Sequence, residues 1–113
     1  NFTFTPHIIP MFRGILSTIY LDLKPGTTLN KVQNILKIFH KKNKFVKIKN
    51  INSFLSTNDV MNTNYCFISV CKTKFKDKII ILSVIDNLIK GGAGQAVQNM
   101  NLKFGFKNNE GLL

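Results

Sequence analysis

Tyr65-Cys66-Phe67-Ile68-Ser69-Val70-Cys71-Lys72 and Lys78-Ile79-Ile80-Ile81-Leu82-Ser83-Val84-Ile85, joined through Lys74-Phe75-Lys76-Asp77, decide the fold. Both runs are rich in β-branched and aromatic residues, and the polar turn between them is short, so they read as an antiparallel hairpin. Directly behind it stands Gly91-Gly92-Ala93-Gly94-Gln95-Ala96-Val97-Gln98-Asn99-Met100-Asn101. There a strand hands over to a helix through a glycine-lined turn followed by a file of amides.

Strand-like alternation also covers residues 2 to 8, 15 to 23 and 45 to 48. Two helical patterns interrupt it. The first follows Lys24-Pro25-Gly26, with Thr27 or Thr28 as N-cap, and carries Leu29, Val32, Ile35, Leu36 and Phe39 on a face expected to pack on the sheet. Its last turn, Lys37 to Lys42, puts cations at the carbonyl end of the dipole. The second helix is expected to start in the glycine run, to show Ala93, Ala96, Val97, Met100 and Phe104 on one face, and to stop at Gly105. Gln95, Gln98, Asn99 and Asn101 then fall on the other side, where their amides can both donate and accept. Ser53 to Asn64 reads as a polar loop anchored at Phe54-Leu55. The layout is α+β: one main sheet, mainly antiparallel or mixed, with helices on one face.

At 113 residues the chain makes one domain or a part of one. It opens at Asn1 and passes at once into Phe2-Thr3-Phe4-Thr5, which suggests a piece of a longer protein. No run nears the roughly 18 apolar residues of a membrane span, and no basic-then-apolar leader opens it, so the expected compartment is the cytoplasm. The formal charge is +11, yet Arg13 is the only arginine among 16 cations, beside abundant Asn, Ile and Phe. An adenine- and thymine-rich codon pool gives that balance without selection for phosphate binding, which ranks nucleic acid last among partners.

Few residues offer chemistry. Cys66 and Cys71 have opposite parity on one strand, so they cannot share a metal, and no further Cys or His completes a zinc set; they read as buried, unreactive thiols. The five acids are not spaced as a catalytic pair. Gly92-x-Gly94-x-x-Val97 lacks the third glycine of the dinucleotide fingerprint, together with its following strand and acid. The run still permits close backbone approach to a ligand, or alternatively tight packing against another domain. Arg13 sits at a kink in Pro10-Met11-Phe12-Arg13-Gly14 and can grip a carboxylate or phosphate bidentately, or form a structural ion pair with Asp59 or Asp86. His7 ranks below it, and His40 needs no functional account.

Four blocks then add up to a likeness: Phe4 to Tyr20 (FTPHIIPMFRGILSTIY), Asn62 to Cys66 (NTNYC), Ser83 to Lys90 (SVIDNLIK) and the glycine-amide run. In this order they resemble the N-acetyl-gamma-glutamyl-phosphate reductase family of the semialdehyde dehydrogenase superfamily. The resemblance implies the C-terminal portion of an enzyme that reduces an acyl phosphate to N-acetylglutamate semialdehyde with NADPH, in arginine biosynthesis. Its fold would be the C-terminal domain type of glyceraldehyde-3-phosphate dehydrogenase. Residues 1 to 90 would form part of a substrate and dimerisation domain, and 91 to 113 a terminal helix and tail returning to an NADP-binding Rossmann domain. The family works through a cysteine nucleophile and a histidine, neither of which matches Cys66, Cys71 or His7, so no catalytic residue and no metal is assigned here. The likeness places Gly92, Gly94, Gln95 and Asn99 near NADP and Arg13 beside the substrate, in a homo-oligomer formed through the sheet. Phe12 departs from the Asn usual beside that arginine, and Gly14-Ile15-Leu16 lacks the histidine that aspartate-semialdehyde dehydrogenases carry there. A stand-alone assembly domain is the alternative function.

Overall fold

The computed structural model describes residues 3–112. Four strands form one mixed sheet in the order β1-β4-β3-β2. They are β1 (Ile15–Asp22), β2 (Val46–Ile48), β3 (Cys66–Lys72) and β4 (Lys78–Ile85). The hairpin forms as expected, with β3 antiparallel to β4 from Cys66 opposite Ile85 to Lys72 opposite Ile79. β1 adds antiparallel to the other side of β4, from Ile15 opposite Ile85 to Asp22 opposite Lys78. β2 pairs in parallel with β3, which makes the sheet mixed.

Alternation puts Ile79 and Val70 on one face and Val84 on the other, and all three are buried. The centre of the sheet is therefore covered on both sides. Phe45 and Val60 complete the buried apolar set. β1, an edge strand, leaves Ile15, Leu16, Ile19, Tyr20 and Leu21 exposed, with Tyr20 at 74%. The cysteines follow parity onto opposite faces. They are half-buried free thiols, with Cys66 Sγ 3.5 Å from Ser83 Oγ and Cys71 Sγ 3.6 Å from Ser69 Oγ.

Helix α1 (Leu29–Phe39) is N-capped by Thr28, whose hydroxyl accepts from the Lys31 N–H. The expected apolar face is only partly covered: Leu29, Val32 and Leu36 are half-buried, whereas Ile35 is exposed and Phe39 is 80% exposed. The helix lies over β3 and the three-residue β2 at the sheet edge, which leave the outer part of its stripe uncovered. Gln33 is buried instead, its Nε2 donating to the Lys49 carbonyl at 2.8 Å. The helix ends before the lysine run, and only Lys37 lies in its last turn.

Two further expectations need correction. Residues 3 to 8 form no strand, and Phe2 lies outside the described residues; a period of two does not make a strand without a partner edge to hydrogen-bond. In the loop, Leu55 is half-buried but Phe54 is 96% exposed, and the buried anchor is Val60, placed by a 3-10 turn at Thr57–Asp59 whose Ser56 and Asp59 form a capping box.

The core is small enough that one residue tests it. Ile79→Ala is expected to lower unfolding free energy by about 3 kcal/mol in urea titration, whereas Ile38→Ala on exposed helix surface changes it by less than about 0.5 kcal/mol. A loss below about 1 kcal/mol at Ile79 contradicts a core centred there.

Candidate functional site

Sequence reasoning treated Asp86 only as one option for pairing Arg13, but it is the hub of the site. It follows the buried strand β4 directly and has 0% exposure. Its Oδ1 accepts from the backbone N–H groups of Leu88 (2.8 Å) and Ile89 (3.1 Å), so it caps the turn that leads into the second helix. Its Oδ2 accepts from the Asn62 N–H at 2.9 Å and from Arg13 Nη1 at 3.1 Å. Burial pushes the carboxyl up, but the three N–H donors and the guanidinium outweigh it and hold the group below its ordinary value.

These bonds bring three remote segments together. Arg13 Nη1 also donates to Asn62 Oδ1 at 2.8 Å, and the next residue, Gly14, donates its N–H to Asn87 Oδ1 at 2.7 Å. Gly14 has φ +108, and a Cβ there would lie 2.5 Å from Thr57. The kink at Arg13 is thus fixed from the 57–62 loop and from the end of β4. His7 stands apart and exposed, its Nδ1 3.1 Å from the Thr5 carbonyl oxygen.

Beyond Asp86 the chain makes a wide π-type turn over Ile89–Ala93, with the Gly91 N–H donating to the Asp86 carbonyl and the Ala93 N–H to that of Leu88. Helix α2 (Gly94–Phe104) follows and ends at Gly105. Its packing reverses the expected faces. Gly94, Gln98 and Asn101, spaced by four and three residues, are buried, while Ala93, Ala96, Met100 and Phe104 are exposed and Val97 is half-buried. The buried amides have partners that an apolar side chain would orphan: Gln98 Oε1 accepts from Lys90 Nζ (2.6 Å) and Asn64 Nδ2 (3.2 Å). Asn101 Nδ2 donates to the carbonyls of Asn108 and Glu110, folding the tail back. Burial lowers the Lys90 pKa, against the pull of nearby Cys66.

The four glycine-run candidates therefore separate. Gly94 is buried, and a Cβ there would lie 2.5 Å from Asn64 Oδ1 and 2.7 Å from Ile89 Cγ2, so its small size lets the helix close on its own domain. Gly92 and Asn99 are exposed and Gln95 is half-buried, with Gln95 Nε2 donating to Asn99 Oδ1 at 2.8 Å. Arg13 makes its hydrogen bonds with Asp86 and Asn62 and with none of these four. Sequence reasoning missed Asn62, Asn64 and Lys90, and it underrated Asp86, whose signal was an Asx residue between a buried strand and a helix start.

The family model of the semialdehyde dehydrogenase dimerisation domain matches residues 1–87. The chain belongs to the semialdehyde dehydrogenase dimerisation-domain family. It is 46% identical over 111 residues to the N-acetyl-gamma-glutamyl-phosphate reductase of Staphylococcus saprophyticus and 49% identical over 110 residues to that of Clostridium botulinum. Those alignments take in 98% and 97% of this chain and 32% of each relative, so the chain spans 32% of the length of the reductases it matches. The fold resembles aspartate semialdehyde dehydrogenase II from Vibrio cholerae with a TM-score of 0.64 at 20% identity, over 83% of this chain and 28% of that one. Among the described residues no cluster of acids, histidines and cysteines can hold a metal, and no helix is long and apolar enough to cross a membrane.

In this dimerisation domain Asp86 links stability to pH. A carboxyl held below its unfolded value stabilises the fold above that value, near 3.8, and the contribution disappears as pH falls through the lower folded value. Asp86→Asn is expected to be less stable than the parent at neutral pH, with the gap closing below about pH 4 in thermal melts. A gap unchanged down to about pH 2 contradicts an ionised Asp86.

Proposed function

We propose that this chain is the C-terminal α+β portion of a cytoplasmic reductase that converts N-acetylglutamyl 5-phosphate to N-acetylglutamate 5-semialdehyde with NADPH, in arginine biosynthesis. The observation that carries this reading is the 46% to 49% identity to named N-acetyl-gamma-glutamyl-phosphate reductases through nearly the whole chain. Residues 1–90 serve as the substrate and dimerisation unit, and residues 91–113 reach the cofactor domain. The chain by itself performs no reduction, because its two cysteines are half-buried on a sheet strand and the nucleophile belongs to another part of the enzyme.

The open side of α2 fits a nicotinamide cofactor. NADPH supplies a hydride when bound, and the amides of half-buried Gln95 and exposed Asn99 can donate to and accept from its carboxamide. Gly92 offers an exposed backbone without a side chain in the way. Gly94 contributes by letting the helix pack close to Asn64. The outward residues Ala96, Met100 and Phe104 give the helix an apolar face for the cofactor domain. Arg13 holds a substrate oxyanion.

In the enzyme that carries this chain, phosphate-dependent oxidation of N-acetylglutamate semialdehyde should reduce NADP, and aspartate semialdehyde should be a poor substrate. The opposite preference overturns the assignment. Gln95→Ala and Asn99→Ala should each raise KM for NADPH by about five- to tenfold, the loss of roughly one hydrogen bond, with unchanged melting. Unaltered KM in both removes these residues from the cofactor site.

Assembly is the second part of the reading, and the apolar side chains exposed along β1 favour it. Tyr20→Glu should shift the enzyme toward smaller species in sedimentation velocity, because a carboxylate in an apolar contact is costly to desolvate, while Ile38→Glu on α1 should not. An unchanged oligomer in Tyr20→Glu moves the interface away from β1.

A further inference from the structure

We propose that Asn62 and Asp86 are positioning residues that occupy one nitrogen of Arg13 and leave the Nε and Nη2 edge of its guanidinium as a side-on fork for a substrate oxyanion. This rests on the reading of Arg13 as a substrate contact. Among the described residues every hydrogen bond of Arg13 leaves from Nη1: one to Asn62 Oδ1 at 2.8 Å and one to Asp86 Oδ2 at 3.1 Å. Nη1 carries two hydrogens, so it is saturated. The three that remain sit on Nε and Nη2. One from each points the same way, in the geometry that takes both oxygens of a carboxylate or two of a phosphate.

The two acceptors are themselves held. Asp86 is fully buried and fixed by three backbone N–H groups, one of them from Asn62. Asn62 has φ +62, a conformation sustained by that bond, and its side chain meets the same Nη1. The guanidinium plane is thereby fixed at two points before substrate arrives, and its side chain stays 29% exposed. A lysine ammonium at this position can satisfy Asn62 and Asp86 but offers no parallel pair of donors beyond them. Pre-orientation of this kind lowers the entropy lost when a ligand is aligned.

The substrate carries two oxyanions, its α-carboxylate and its acyl phosphate, and the reverse reaction separates them. There the semialdehyde brings the carboxylate, and inorganic phosphate is a separate reactant. In the enzyme that carries this chain, Arg13→Lys should raise KM for one of the two by roughly tenfold or more, with KM for NADP unchanged. A rise for semialdehyde assigns the fork to the carboxylate, and a rise for phosphate assigns it to phosphate. Asn62→Gly keeps the positive φ and the backbone N–H while removing only the side-chain acceptor. It should raise the same KM about three- to tenfold with an unchanged melting temperature and unchanged KM for NADP. Asp86→Asn should move the same KM in the same direction, and Asn62→Gly gives the answer if that variant does not fold. If Arg13→Lys alters neither KM, the substrate role of Arg13 falls and the proposal with it. If Arg13→Lys raises one KM but Asn62→Gly leaves it unchanged, or changes all constants equally, the positioning proposal fails and the substrate role stands.

Discussion

A carboxylate with no exposure to water must replace its hydration entirely from the protein, and Asp86 does so with four donors drawn from three parts of the chain. That requirement organises everything at this end of the sheet. Leu88 and Ile89 must turn back over the end of β4, which sets the direction of the π-type turn and of α2. Asn62 must bring its N–H in with a positive φ, which fixes the exit of the loop crossing between β2 and β3. Arg13 must reach from the segment before β1. Any one of these donors withdrawn leaves a buried charge short of a partner, so the three segments are coupled through it.

The same logic explains why α2 packs by its polar stripe. Its first turn leaves the Asp86 hub so that Gly94 meets Asn64 and Ile89 at distances no side chain would allow. Once that contact is fixed, residues four and seven positions on must face inward as well, and these are Gln98 and Asn101. Gln98 Oε1 and Asn101 Nδ2 have partners in Lys90, Asn64 and the returning tail, which offsets the cost of burying them. Met100 and Phe104 are then turned outward. The helix presents a face that is apolar along one side and lined with the Gln95 and Asn99 amides along another.

What the sequence disclosed follows from how local each signal is. β1, β2, β3, β4, the Thr28 cap, the Lys74 to Asp77 turn and the Gly105 stop were all readable, because each depends on neighbours a few residues away. The antiparallel core of the sheet followed from the hairpin. Facing was harder: Ile35 and Phe39 obey helical spacing, yet they lie beyond what β3 and β2 cover. Phe4 alternates with threonines, yet no edge pairs with it. The hub was least legible, since Asp86 lies 24 residues from Asn62 and 73 from Arg13. Its partners are set by the way three loops converge, and no pattern within a window of the chain records that. The resemblance to the reductase family singled out four blocks in order along the chain, and three of them supply the hub.

The distribution of cations bears on what the positive charge is for. Lysines 47, 49 and 90 lie over the rings of Tyr65, Phe67 and Phe45, where an aliphatic stem and a cationic tip serve the packing of an aromatic cluster. Others occupy exposed strand and helix ends. None of these roles needs a planar head group, and lysine fills each of them. The hub is different: Arg13 gives two hydrogens to fixed acceptors from one nitrogen and keeps three more on Nε and Nη2. Lysine cannot divide its three hydrogens along two edges of a plane, and arginine can. In a chain whose composition favours lysine almost to exclusion, the single arginine stands at the Asp86 hub. The net charge of +11 is then mostly surface lysine, with Arg13 at the Asp86 hub and Lys90 on buried Gln98 as the cations that hold buried polar groups.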